Sequence, residues 1–400
     1  MTGMLTGIRV LSMGTVIAGP AAGAILADWG ADVIKVEPLT GEMFRGTTRA
    51  QGVSTGQVNS LIQVFNRGTR GLAIDLTKES GREAFYKLVK ESDVFISNYE
   101  PSAIRKLKVD YASLSTVNPR IIHAVISGYG SKGPDKDERA YDFTAGWARS
   151  GLMNLITEPG CPPAAQRAGT IDTAAATHVV AGILAALLNR ERTGEGQELE
   201  VSLYHTGVWT LASDVQGTLL GREPIPNDRT KARNPVWNSY KTRDGRWIWL
   251  AMLQPNAYWP AFCVSIKMPE LEKDHRFATQ ENRATNCQEL IHIIEGVIAE
   301  KTMQEWEQIF RSHNVLYGRS QTTTEVVNDP QALANDFFVT VEHPEAGEMR
   351  IVTTPVKFRQ KPAQVKTTAP EIGQHTEEIL LGIGCTWDDI SRLKEQGAIL

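Results

Sequence analysis

Asp172 is the residue whose type and setting most clearly suggest covalent chemistry. It stands in GTIDTAAATH, directly before an apolar run that reads as a helix over residues 173–192. An aspartate there is by default a helix cap, accepting hydrogen bonds from the exposed amides of the first turn. Those amides and the helix dipole would keep its carboxylate ionised. An ionised carboxylate next to a flexible, glycine-containing approach is also what attack on a thioester needs. The two readings are compatible, and position alone does not separate them.

The second candidate is the turn GTVIAGPAAG, residues 14–23. It reads either as a plain strand-to-helix connection or as a nucleotide-binding helix N-terminus. It does not match GxGxxG, so Glu37 at the end of the next strand lacks the glycines that would make it the ribose-binding acid of a dinucleotide enzyme. Basic residues gather in loops after strands: Arg67 and Arg70, Arg105 with Lys106 and Lys108, then Lys132, Lys136 and Arg139. Singly they read as surface charge. Together they occupy the places where open α/β sheets bind phosphorylated ligands.

Trp209, Trp237, Trp247, Trp249 and Trp259 read first as packing residues, with an aromatic wall for a bulky acyl group as the bolder alternative. Cys161, in EPGCPP, reads as inert. No serine–histidine–acid spacing suggests a hydrolase. The four cysteines (Cys161, Cys263, Cys287, Cys385) lie far apart without a CxxC pair, and none of the eight histidines has HxxxH spacing. That argues against a zinc site and fits reduced thiols in a cytoplasm.

These residues need a frame. GIRVLSM (7–13), a helix over 21–30 closed by Gly30, and ADVIKVE (31–37) read as a βαβ unit. GLAIDL (71–76), DVFISNY (93–99) and IIHAVISGYG (121–130) continue the strands, with an amphipathic helix over 79–92, so an open α/β sheet is expected. Residues 131–170 look irregular. The helix over 173–192 is apolar all round and is expected to be deeply buried. QELEVSLY (197–204) resembles a strand.

The character then changes. GREPIPNDRTKARNP (221–235) reads as a linker, and YKTRDGRWIWLAM (240–252) as a hairpin turning at Asp244-Gly245. Helices follow near 286–300 and 303–313. Strand-like runs return at 339–343 and 349–358. Thr386 and Asp389 have capping-box spacing before a last helix. At 400 residues, two domains are expected. The boundaries fall at 1–215 for the first part of a large domain, 225–325 for a small domain and 330–400 for a return to the large one. The net charge of −4 gives no basic excess for nucleic acid or a membrane surface. The N-terminus lacks signal-peptide character, and no stretch reads as long enough for a membrane span.

The chain resembles the class III CoA-transferases, the group of formyl-CoA and carnitine CoA-transferases. The likeness runs through AGPAAGAILADWGADVIKVEP, FNRGTRGLAIDL, DVFISNYEP, PRIIHAVISGYGSKGP, GTIDTAAATHVVAGILAALLNRERTGEGQELEVSL, NPVWNSYKTRDGRWIWLAM and APEIGQHTEEIL. It implies a Rossmann-like large domain with an open, mostly parallel sheet built from both chain ends, and a smaller inserted α+β domain. It also implies an interlocked dimer, formed with an identical or a paralogous subunit, with CoA held between the large domain and the partner's small domain.

The resemblance makes Asp172 the nucleophile, carrying an aspartyl-CoA intermediate, with no metal or redox cofactor. It assigns CoA contacts to Val16, Ile17, Ala18, Leu72, Asn98, Arg105 and Arg139. Arg70 would replace a lysine that is frequent where this chain has Thr69. Ile17 stands in place of the glutamine of formyl-CoA transferases, and LAMLQPNAYWP replaces their glycine-rich loop, which disfavours formate and oxalate.

The implied reaction moves CoA from an acyl-CoA donor such as succinyl-CoA to an organic acid. A bulky, aryl-substituted or branched dicarboxylate such as benzylsuccinate is the expected acceptor. Intramolecular CoA transfer and a non-catalytic subunit are rivals, and a nucleotide-dependent oxidoreductase is disfavoured by the missing fingerprint. An α-methylacyl-CoA racemase would need a histidine where ERAYDF has Ala140.

Overall fold

The strand-like runs assemble into one six-stranded parallel sheet. The computed structural model describes residues 3–46, 58–359 and 365–400. Its strands are β1 (Arg9–Met13), β2 (Asp32–Glu37), β3 (Arg70–Ala73), β4 (Val94–Ser97), β5 (Ile122–Ser127) and β6 (Gln197–Ser202), in spatial order β3-β2-β1-β4-β5-β6. Every neighbouring pair is parallel. After their first residues β1 and β2 are buried throughout, and β4 is buried along its whole length, as a sheet covered on both faces requires. The order reverses between β1 and β4, so the loops leaving their carboxyl ends diverge and open a crevice.

One face carries a core of Leu11, Ile34, Leu72, Phe85, Leu88 and Phe95, reached from the chain's far end by Ile379, Leu380, Ile390 and Leu393. The last helix, Trp387–Glu395, opens with the expected capping box: Thr386 Oγ1 accepts from Asp389 N, and Asp389 accepts from Thr386 N. Beyond it Asp75 N donates to Ala398 O, so the C-terminus is tied back beside β3. The helices Ala18–Asp28 and Thr170–Thr193 pack against each other.

Three sequence readings need correction here. The helix Thr170–Thr193 buries a single stripe (Ile171, Ala175, Val179, Ile183, Ala186 and neighbours), while Leu188 is 56% exposed. Alanine, threonine and glycine make every face of this helix weakly apolar, so its sequence pattern does not mark the packed side. With an 18-residue window of mean hydropathy 1.7 it is also, contrary to the sequence reading, long and apolar enough by length and composition alone to cross a membrane. Here it packs beside β5 and β6. Residues 131–170 are less irregular than expected, since Asp142–Ala148 forms a π-helix. Such single turns have no period for a sequence pattern to reveal and recur at functional sites.

The chain divides into two compact units: Met1–Asn154 with Ala165–Arg222 and Gln331–Leu400, and Leu155–Ala164 with Glu223–Pro330. The larger also carries the antiparallel hairpin β10 (Phe338–His343) and β11 (Gly347–Val352). In the smaller, β7 (Trp237–Lys241), β8 (Trp247–Ala251) and β9 (Tyr317–Arg319) form an antiparallel sheet. Its core holds Tyr240, Trp259, Phe262, Leu290, Trp306 and Phe310. Trp259 is thus a packing residue. Trp237, Trp247 and Trp249 share the opposite, half-exposed face of the hairpin.

Phe95 is fully buried in β4, edge-on to Phe85 and stacked on His123. Phe95→Ala is expected to lower the free energy of unfolding by about 3–5 kcal/mol in chemical denaturation, the usual cost of deleting a buried aromatic ring.

Candidate active site

The crevice at the switch point contains a cavity of about 430 Å³. Thr15, Val16 and Ala18 line it from the loop and helix after β1. Asn98 and Tyr99 line it from the loop after β4, and Ser127 and Gly128 from the end of β5. Asp172 and Asp142 reach the same space. Two glycines let its walls approach: a Cβ on Gly14 would lie 2.8 Å from the Gly19 Cα. Asn98 ties the two loops together, Oδ1 accepting from Thr15 N and Nδ2 donating to Thr15 O, both at 2.8 Å.

Asp172 is a first-turn residue and not the cap. The helix starts at Thr170, and its cap position is Gly169, held at φ 88°. A side chain there would be strained, and its Cβ would come within 2.9 Å of Ile17 Cδ1. The capping is done by a carboxylate the sequence reading did not single out. Asp142 Oδ2 accepts from Gly169 N at 2.9 Å, and the carboxylate also faces the amides of Phe143 and Ile171 and the side chain of Gln166. Asp142 belongs to ERAYDF, the stretch inspected for a racemase histidine. A local motif could not show that it reaches a helix thirty residues on.

This arrangement reverses the electrostatic expectation for Asp172. The residue is 6% exposed, and its carboxyl is pushed up to about 7, first by burial and then by the charge of Asp142. No hydrogen bond or ion pair to its side chain forms among the described residues. Burial raises Asp142 too, despite its amide donors. At neutral pH Asp172 is thus poorly solvated and only partly ionised at the wall of an open cavity, and its carboxylate form is more basic than an ordinary aspartate, a perturbation that recurs at functional sites.

The expected CoA contacts divide. Val16, Ala18, Asn98 and Arg139 line the same cavity as Asp172, and Lys136 joins them. Arg139 is mostly exposed and pairs with Glu100 at 3.3 Å. Ile17 is buried, with its side chain packed under Gly169. Leu72 is fully buried in the sheet core, which leaves only its backbone to offer. Arg105 is exposed on the helix Pro101–Leu107 and does not line the cavity.

Arg70 lies at the amino end of β3, where it grips Asp32 at 2.7 Å and Glu378 at 2.9 Å. The parallel register puts that end of the sheet opposite the crevice, so Arg70 does not stand in for a lysine at Thr69 in this cavity. Arg67 is likewise engaged, in a buried pair with Asp28 at 2.7 Å. Glu37 is buried and forked by Arg45 at 2.7 and 2.8 Å, so it is not free to bind a ribose. Ala140 lines the cavity, so the position examined for a racemase base has no ionisable side chain.

Residues 5–376 match CoA-transferase family III. The chain is 32% identical to (R)-2-hydroxy-4-methylpentanoate CoA-transferase of Clostridioides difficile over 99% of both proteins. It is 30% identical to cinnamoyl-CoA:phenyllactate CoA-transferase of Clostridium sporogenes, over 100% of this chain and 98% of that one. The crystal structure of a CaiB/BaiF family protein from Brucella suis superposes with a TM-score of 0.84 at 27% identity, covering 96% of this chain and all of that one.

Because Asp172 holds its proton more tightly folded than unfolded, it favours the fold when protonated. That contribution is lost as pH rises from the ordinary value of 3.8 to about 7. Asp172→Asn is therefore expected to unfold at higher denaturant than the parent. The gap should widen between pH 4 and 7, level off above, and reach on the order of 2–4 kcal/mol.

Proposed function

This chain belongs to CoA-transferase family III and is a CoA-transferase, and we propose that Asp172 is its nucleophile and carries CoA between two carboxylic acids. The observation that carries this reading is the buried Asp172 carboxyl, pushed up to about 7, at the wall of the switch-point cavity. It attacks the donor thioester carbonyl, forms an aspartyl–acyl anhydride and expels CoA thiolate. The thiolate attacks the aspartyl carbonyl, releases the donor acid and leaves an aspartyl-CoA thioester. The acceptor carboxylate attacks that thioester, giving a second anhydride and CoA thiolate. Attack of the thiolate on the acceptor's acyl carbonyl then yields the new CoA ester and restores Asp172.

Each acylation of Asp172 removes a charge that the site holds at a cost, so part of that cost favours the covalent step. Cations suit the other end of the substrate. Lys136 and Arg139 on the cavity wall match CoA's phosphates, and the turn at Val16–Ala18 with Asn98 would seat the remainder.

For the acceptor we favour an acid with a branched or aryl side chain. Val16, Met43, Ile126, Tyr141 and Leu203 give the cavity apolar walls. The relatives named for 4-methylpentanoate and phenyllactate point to that same bulk. Benzylsuccinate is the dicarboxylate of this type, and succinyl-CoA is the first donor to try. Racemisation is the weaker reading, since Ala140 gives its second base no side chain.

We place the enzyme in the cytoplasm, supported by its four unpaired cysteines. We also propose that it works as a dimer with a second copy, which would cover the exposed Leu188, Trp209, Leu219 and Leu220.

The purified chain, assayed alone with a panel of acyl-CoA donors and branched or aryl acids, should show ping-pong kinetics. Asp172→Ala and Asp172→Asn should cut kcat by at least about a thousandfold. Retention of transfer by either variant would sink the nucleophile assignment. Inactivity of a folded parent with every pair would favour a partner-dependent subunit.

The limb of kcat/KM on the acid side should fall through a single ionisation near 7. Asp142→Asn should move it to lower pH, because removing that charge relieves Asp172. Light scattering should give the mass of a dimer, and a monomer would contradict the proposed assembly.

A further inference from the structure

Val16 is the only β-branched residue with positive φ among the described residues, at 67°. For such a side chain this is a true outlier, and it persists only where the surroundings over-determine it. Here they do. Glu42 Oε2 accepts from Val16 N at 2.8 Å, and the other oxygen of the same carboxylate, Oε1, meets Lys35 Nζ at 2.9 Å. The Lys35 and Glu42 side chains are 2% and 1% exposed. Glu42 is fixed in turn: its backbone N donates to Glu37 Oε1 at 3.0 Å, and Arg45 forks Glu37. Burial would raise the Glu37 carboxyl, but the Arg45 fork and the nearby Lys35 outweigh it and hold it below its usual range. On the other side of Val16, Asn98 grips both polar atoms of the Thr15 backbone.

A buried ion pair is weak evidence for stability, since an apolar pair of similar volume often serves the fold as well. What this pair does, and an apolar pair could not, is offer an acceptor to the amide of a strained residue. The strained turn also has neighbours that matter. Thr15, Val16 and Ala18 form one wall of the cavity, and Ile17 packs under Gly169, the cap of the helix that carries Asp172.

We infer that Lys35 and Glu42 are positioning residues, holding the Val16 peptide in its left-handed conformation so that this wall of the acyl-CoA site is formed before the ligand arrives. The inference rests on the cavity being that site. Free of Glu42, Val16 relaxes to negative φ, and CoA binding must then supply the cost of restoring the turn.

The test compares the full-length parent with Lys35→Met/Glu42→Leu, in which no charge is left unpaired, and with that pair carrying Val16→Gly as well. CoA binding is measured by calorimetry, and turnover with the active donor and acceptor. The double variant should bind CoA about tenfold more weakly, a loss of about 1.4 kcal/mol. Its KM for acyl-CoA should rise alike, with kcat changed less than about threefold. Val16→Gly should recover at least about threefold of the lost affinity, because glycine enters positive φ without strain.

A double variant that binds CoA like the parent would overturn the inference. So would weakened binding that Val16→Gly leaves unchanged, since a merely structural pair would not answer to the strain at Val16. If the double variant does not fold, Lys35→Leu/Glu42→Met, which also removes the acceptor and leaves no charge unpaired, gives the same readout with and without Val16→Gly. Failure of the folded parent to bind CoA would instead remove the site reading, and this role with it.

Discussion

The carboxylate of Asp172 is buried beside that of Asp142, and much of this structure follows from that conflict. Asp142 is needed where it is, because it satisfies the amides at the start of the helix that carries Asp172. The helix end could have used a neutral cap such as serine or asparagine at similar benefit. With aspartate in that place, the helix is capped and its next carboxylate is made more basic in one stroke. Neutralising Asp172, by a proton or by the acylation proposed for it, would relieve both burial and repulsion, so the proposed covalent step would draw on a site that holds this charge at a cost.

The parallel sheet determines which loops meet there. Reversal of strand order between β1 and β4 brings Val16, Asn98 and the Asp172 helix around one crevice. The same register sends Arg9, Asp32 and Arg70, at the amino ends of β1 to β3, to the other edge, where both arginines pair with Asp32 and with Glu91 or Glu378. The loops at the carboxyl edge are held by polar ties rather than by packing alone. Asn98 clamps Thr15, Glu42 holds Val16, and Glu37 with Arg45 braces Glu42. A wall held in a strained conformation by such ties has little freedom to lose when a ligand binds.

What the sequence made legible was periodic or local. Five of the six strands stood out as short apolar runs between glycine and proline, β6 as a weaker one. The helix Glu79–Lys90 showed its amphipathic stripe, and Thr386–Asp389 its capping box. Asp172 was found because it precedes a strong helix and because the motif around it resembles a known family.

What escaped was non-local. The raised affinity of Asp172 for its proton comes first from burial and then from the charge of Asp142, thirty residues upstream, in a π-helix with no signature period. The basic loops looked like a phosphate site, yet Arg67 and Arg70 are consumed by Asp28 and Asp32 once register is fixed. The helix Thr170–Thr193 looked buried all round because its small residues do not distinguish a packed face from an open one.

The central claim is that the carboxylate of Asp172 itself becomes acylated, and covalent trapping addresses it most directly. The purified protein is incubated with a productive acyl-CoA, quenched with hydroxylamine, and its peptides are mapped by mass spectrometry. The account predicts a hydroxamate confined to the peptide GTIDTAAATH and located on Asp172, absent when acyl-CoA is left out. A hydroxamate on another carboxylate, with Asp172 unmodified during active turnover, would contradict it.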